Sequence, residues 1–167
     1  MLDTTIEAIN ELIKASQTAD QWDQMPILIL LHADDSGSMV MMPQNDPIGG
    51  MRTIPGYVNS GESGFSTSPI VGAVLYVEAW GLSADVSETG AGEKLAKEIA
   101  DLKSRGLRYS DHPAAIEIKM FHAVDEQGHI SRQIHRGSSE VITLPDTAKE
   151  SGRLVDYMTT MFMELTQ

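Results

Sequence analysis

The chain has 167 residues with 41% hydrophobic content, which suits a single domain over 1–167 with a real core. It contains no cysteine, so disulfides, thiolate metal sites and cysteine nucleophiles are excluded. A formal charge of −12, from 24 acidic against 12 basic residues, opposes contact with nucleic-acid phosphates and favours a basic partner over an acidic one.

The first stretch, MLDTTIEAINELIK, carries acids where a signal peptide carries positive charge, and no apolar run reaches membrane-spanning length. The expectation is a soluble, cytoplasmic protein with no membrane partner. Asp3 or Thr4 can cap a first helix, with Glu7 as the return partner of Thr4. Leu2, Ile6, Ile9 and Ile13 follow at helical spacing, and the pattern ends near residues 16–18. Trp22 falls in the connection, where it covers an edge of the core.

Residues 26–31 form a short continuous apolar run, which predicts a buried strand. Asp34-Asp35-Ser36-Gly37 then suits a type I turn with a trailing glycine, so residues 27–42 read as a first hairpin. Alternation puts Met39 and Met41 on one face of its second strand and Met42 on the other. Residues 43–69 change character, with five glycines and four prolines, and predict a long loop without a regular element. Met51, Ile54, Tyr57, Val58 and Phe65 stand out in it, as pins to the body or contacts for a partner.

Residues 70–82 read as a strand with almost no polar interruption, and Gly72 inside it signals a bulge or a close backbone approach. Glu78 shares a face with Val74, Tyr76 and Trp80, and a carboxylate buried there must be paired, hydrogen-bonded or protonated. Residues 83–90 form a polar link. A helix follows over 93–105, with Leu95, Ile99 and Leu102 inward and Gly106 placed to end it. Asp111-His112-Pro113 turns the chain into a second hairpin.

That hairpin, IEIKMFHAVDEQGHISRQIHR over 116–136, is the clearest feature of the sequence. Asp125-Glu126-Gln127-Gly128 suits a type I turn. With Gly128 as a bulge residue, Val124 falls opposite Ile130, His122 opposite Arg132 and Met120 opposite Ile134. This register collects Ile116, Ile118, Met120, Val124, Ile130 and Ile134 on one face, and predicts a sheet covered on one side. Residues 137–143 add a short edge strand. Pro145-Asp146 opens a last helix whose stripe is Leu154, Val155, Met158, Met161, Phe162 and Leu165. The order α-β-β-β-α-β-β-α defines an α+β fold, an antiparallel sheet of about five strands with helices packed on one face.

Motifs with chemistry are scarce. Thr89-Gly90-Ala91-Gly92-Glu93-Lys94 lacks the ending of a phosphate loop and lies among acids. His32 with Asp34 and Asp35, and His122 with Asp125, bring metal-ligating types together, but aspartate at such turns is explained by turn chemistry. His129 and His135 are roughly 20 Å apart along a strand, too far to share an ion. No metal or cofactor is expected. No Gly-x-Ser-x-Gly elbow is present.

With Glu78-Ala79-Trp80, Asp111-His112-Pro113 and the hairpin over 116–136 in view, the chain resembles a group of small actinobacterial and actinophage proteins. The likeness covers residues 74–145 and carries no catalytic residue across. It implies a free-standing accessory protein of phage origin. The first functional expectation is a non-enzymatic protein-binding or regulatory protein. Its surface is drawn from Met51, Ile54, Tyr57 and Phe65 of the loop with Met39 and Met41 of the first hairpin, and self-association is a second use of such a patch. The alternative is a small hydrolase whose site uses Glu78 or Asp34/Asp35 with His32 or His122, in a pocket beneath the 43–69 loop.

Overall fold

The computed structural model describes residues 1–19, 21–61, 64–82, 90–144 and 152–167. Its strands are β1 (Ile27–His32), β2 (Gly37–Met41), β3 (Ile70–Leu82), β4 (Ala115–Asp125), β5 (Gly128–His135) and β6 (Ile142–Leu144). They form one antiparallel sheet in the order β2-β1-β3-β4-β5-β6. The helices are α1 (Asp3–Ala19), α2 (Pro47–Ser60), α3 (Ala91–Ser104) and α4 (Gly152–Leu165). The fold is α+β, with six strands rather than about five. The predicted opening of the last helix at Pro145-Asp146 lies outside the described residues, as does most of the polar link at 83–89.

The longest strand, β3, is central because its apolar run has no polar phase, so either face can be buried. Helices accordingly pack on both faces, which corrects the one-sided arrangement expected from sequence. On one face α1 sets Ile9 and Ile13 against Val74, Tyr76, Phe121, Ala123 and Ile134. On the other, α2 and α4 bring Met51, Ile54, Met158, Met161 and Phe162 onto Leu28, Leu30, Ala73, Leu75 and Val124. Each large side chain so buried contributes about 1.5–3 kcal/mol. Gly72 is the close approach: a Cβ there would lie 2.8 Å from Thr5 Oγ1 of α1 and 3.4 Å from the Val124 carbonyl.

The second hairpin exists, but its register differs by one residue. Asp125 pairs with Gly128 across a two-residue turn, so Val124 faces His129, His122 faces Ser131 and Met120 faces Gln133. Asp125 fixes this turn by accepting from the Gln127 N–H at 2.8 Å and the Leu2 N–H at 2.7 Å. Because side chains alternate, the slip moves Ile130, Arg132 and Ile134 to the α1 face, beside Phe121 and Ala123. His129, Ser131, Gln133 and His135 go to the other. The hairpin thus has apolar residues on both faces, as a sheet between two helical layers requires.

The first hairpin also turns two residues early. The Asp35 N–H donates to the His32 carbonyl at 3.1 Å, and Asp35 (φ 62°) takes the left-handed conformation assigned from sequence to Gly37. Aspartate tolerates that region, which frees Gly37 to begin β2. The largest correction is α2, inside the segment read as a loop. Asp46 caps it by accepting from the Gly49 N–H at 2.9 Å, Pro47 stands in its first turn, and Gly61 (φ 70°) closes it. Gly49, Gly50, Pro55 and Gly56 are poor helix residues, yet burial of Met51, Ile54 and Pro55 outweighs their propensity.

Candidate functional site

The β1–β2 end of the sheet is where apolar surface stays uncovered. α1 packs on β3 and β4 and leaves β2 bare, so Met39 and Met41 are 65% and 62% exposed. Met42, on the opposite phase, is buried against Met51 and Ile54. Between β2 and α2 runs an apolar groove of about 350 Å³, lined by Val40, Met41, Pro43, Ile54, Tyr57 and Phe65. Tyr57 is 59% exposed at its rim. Phe65 is half-buried against the core. Of the six residues expected to form a binding surface, Met41, Ile54, Tyr57 and Phe65 line this groove, whereas Met39 is exposed on the opposite, α1-facing side of β2. Met51 does not reach it, being fully buried core that holds α2 in place, and Ile54 is almost wholly buried and forms the groove's floor.

A second cluster lies on the α1 face, near the far ends of β3 and β4. Tyr76 donates its phenol proton to Glu78, which also accepts from the N–H groups of Asp23 at 2.6 Å and Gln24 at 3.3 Å. Burial, then the bond to Glu78 and its charge, push the Tyr76 pKa far up. Asp23 reaches this position in a left-handed conformation (φ 64°). Glu117 is buried and pairs with Arg136. Lys119 is buried too, donates to the Ser16 carbonyl at 3.3 Å, and lies 4.7 Å from the centre of the Trp22 ring, with the Arg136 guanidinium 5.2 Å from the same ring. Asp23, Glu78 and Glu117 offer carboxylate oxygens within 4.8 Å of one another. The Glu78 and Glu117 oxygens are already engaged by backbone donors, a phenol and a guanidinium, and Lys119 and Arg136 offset two of the three negative charges. The cluster ties the 20s connection and the end of α1 to the sheet.

Sequence reading singled out Glu78 and missed Asp23, Glu117, Lys119 and Arg136 as its company. The available signal was Glu117 and Lys119 themselves, two charges on the phase that Phe121 and Ala123 continue as core.

The residues of the alternative hydrolase site do not converge. Glu78 is on the α1 face, whereas His122 pairs with Leu75 on the other. His32 shares that other face but stands opposite Ile70, five residues along β3 from Leu75 and so roughly 16 Å away along the sheet. Both of its ring nitrogens are engaged, Nδ1 at 2.9 Å from the Ser68 carbonyl and Nε2 at 2.8 Å from Ser38 Oγ. Asp34 accepts from the Ser36 hydroxyl and N–H, which hold its carboxyl below the usual range, and Asp35 serves the turn. His122 is buried, with Nδ1 2.8 Å from Ser131 Oγ and no hydrogen-bond partner for Nε2 among the described residues. Burial, and then the neighbouring His129, push its pKa down to about 4. A shared reacting point within hydrogen-bond reach of these groups is absent from this arrangement.

The class defined by this architecture is an α+β domain with an open antiparallel sheet between two helical layers. Comparison with protein-family models, curated proteins and solved structures finds no match to the chain. Among the described residues no helix is long and apolar enough to cross a membrane.

Proposed function

We propose that the protein is a non-enzymatic binding protein that docks a protein partner at the β2–α2 surface. The observation that carries this reading is the apolar groove rimmed by exposed Tyr57 and Met41, beside a strand with an open edge. Flexible methionine side chains adapt to a partner, and a tyrosine at a rim supplies rigid contact area. The chain's charge of −12 selects a partner whose flanking surface is basic. A regulatory or accessory role, of the kind the resemblance to actinophage proteins implies, follows from binding without chemistry.

The test compares immobilised wild type with Met41→Glu, Tyr57→Ser and, as a control, Met163→Glu, at an exposed methionine outside the groove. Wild type and the control are expected to retain the same basic protein from host extract in salt-sensitive fashion, and the two groove variants to lose it. Retention by all four versions removes the groove from the function.

A further inference from the structure

We infer that the open edge of β2 pairs with the β2 edge of a second copy of this chain, antiparallel, about a two-fold axis at Met39. This goes beyond the docking reading above and names a separate occupant, at the strand edge rather than in the groove. Among the described residues the sheet order leaves β2 and β6 as the two edges. β6 has three residues, while β2 offers five without a charge, a proline or a break in register. Those are the devices by which edge strands avoid pairing, and β2 carries none of them along its length.

The hydrogen-bond phase of the hairpin identifies which groups are on offer. Met42 N–H donates to the Pro26 carbonyl at 2.8 Å and His32 N–H to the Ser36 carbonyl at 2.9 Å. In an antiparallel pair such bonded positions alternate. Ser38 and Val40 therefore turn their backbone groups toward β1, and Gly37, Met39 and Met41 turn theirs outward. A two-fold at Met39 sets Met39 against Met39 and Gly37 against Met41, so each outward N–H and C=O meets a partner. No other two-fold centre on the strand pairs all three residues. On the face that α1 leaves open, the exposed methionines of both copies then lie side by side and shield one another from water.

Charge permits this pairing. β2 itself is neutral, and the acidic turn residues Asp34 and Asp35 fall toward Gln44 and Pro43 of the other copy rather than toward acids. The remaining opposition is between two net charges of −12 spread over the whole surfaces, which salt screens within about 8 Å at physiological ionic strength. The dimer therefore tightens as salt rises. A complex with a basic partner weakens under the same change.

The test uses the full chain, whose lack of cysteine makes single-cysteine reporters clean. Sedimentation equilibrium at low and high salt measures the dimer constant of wild type and of Met39→Lys. Met39→Cys and Met163→Cys are then compared for intermolecular disulfide formation, since directly opposed residues in a bonded pair have Cα atoms about 5.5 Å apart, within disulfide range. Circular dichroism checks that each variant folds. The expected result is a salt-tightened dimer, weakened about tenfold or more by Met39→Lys, that crosslinks at 39 far faster than at 163. A monomer at roughly 0.5 mM in high salt overturns the inference. So does a dimer that crosslinks equally at 39 and 163. If such a monomer still loses a basic partner through Met41→Glu, the docking reading survives without the second copy. If a 39-crosslinked dimer captures nothing from extract, the pairing stands and the basic-partner reading falls.

Discussion

His122 makes the fold's stability depend on pH over a defined window. Its ring is buried on the α2–α4 face of the sheet, with one nitrogen on Ser131 and the other without a partner among the described residues, so a proton there has no solvation to replace what burial removes. The folded pKa is about 4, against 6.5 in the unfolded chain. Below 6.5 the unfolded state takes up a proton that the folded state refuses, and the native state loses ground as pH falls. The contribution is complete above pH 6.5. About 2 kcal/mol of it is gone at pH 5 and about 3 kcal/mol at pH 4, after which the loss levels off. Urea unfolding of wild type and His122→Gln between pH 7.5 and 4 measures this directly. Carboxylates and the other histidines titrate in both proteins, so only the difference between the curves reports His122. The variant starts less stable at pH 7.5, having lost the native packing around the ring, and the gap narrows or reverses by about 3 kcal/mol at pH 4. Parallel curves would refute the argument, because they would mean that His122 is protonated without cost inside the fold.

Other perturbations probe the two helical layers and the polar cluster separately. Asp46→Ala removes the cap of α2 and is expected to cost about 1 kcal/mol in urea unfolding, with faster amide exchange over residues 48–52 than elsewhere. No change in that exchange would contradict a capped helix in the segment. Tyr76→Phe deletes a donor to a charged carboxylate and should cost about 1.5 kcal/mol at neutral pH, the low end for such bonds because Glu78 keeps two backbone donors. Phe121→Ala, beneath α1, should cost about 3–5 kcal/mol by thermal or urea unfolding. A cost below about 1 kcal/mol would show that α1 does not cover this face.

The elements that were legible in the sequence are those whose local pattern and tertiary role agree. β3 appears over residues 70–82 as expected, α3 ends at the glycine expected to end it, and the stripe of α4 is buried at Val155, Met158, Met161 and Phe162. The second hairpin was visible, but its register was not. Glycine after Asp-Glu-Gln fits a bulge as well as a two-residue turn, and both registers bury isoleucines. The choice depends on Asp125 holding the Leu2 N–H, a contact 123 residues away that no window of sequence contains. α2 was hidden for the opposite reason. Its Asp-Pro start and its Gly61 stop were in plain view, while the glycines and prolines between them spoke for a loop. Packing of Met51 and Ile54 against α4 decides the matter, and that packing is long-range.

The site was half legible on the same principle. Alternation in β2 correctly separates Met39 and Met41 from Met42, because a strand's two phases are fixed locally. Which phase meets water is not fixed locally. It depends on α1 lying across β3 and β4, near Phe121, instead of across β1. Had α1 lain two strands outward, across β2 and β1, Met39 and Met41 would be core. The position of α1 is in turn set by Gly72, where only a glycine lets Thr5 approach the strand, and by Asp125, which holds the Leu2 N–H. The contacts that leave the β2 surface bare therefore lie on β3 and β4, two and three strands in from that edge.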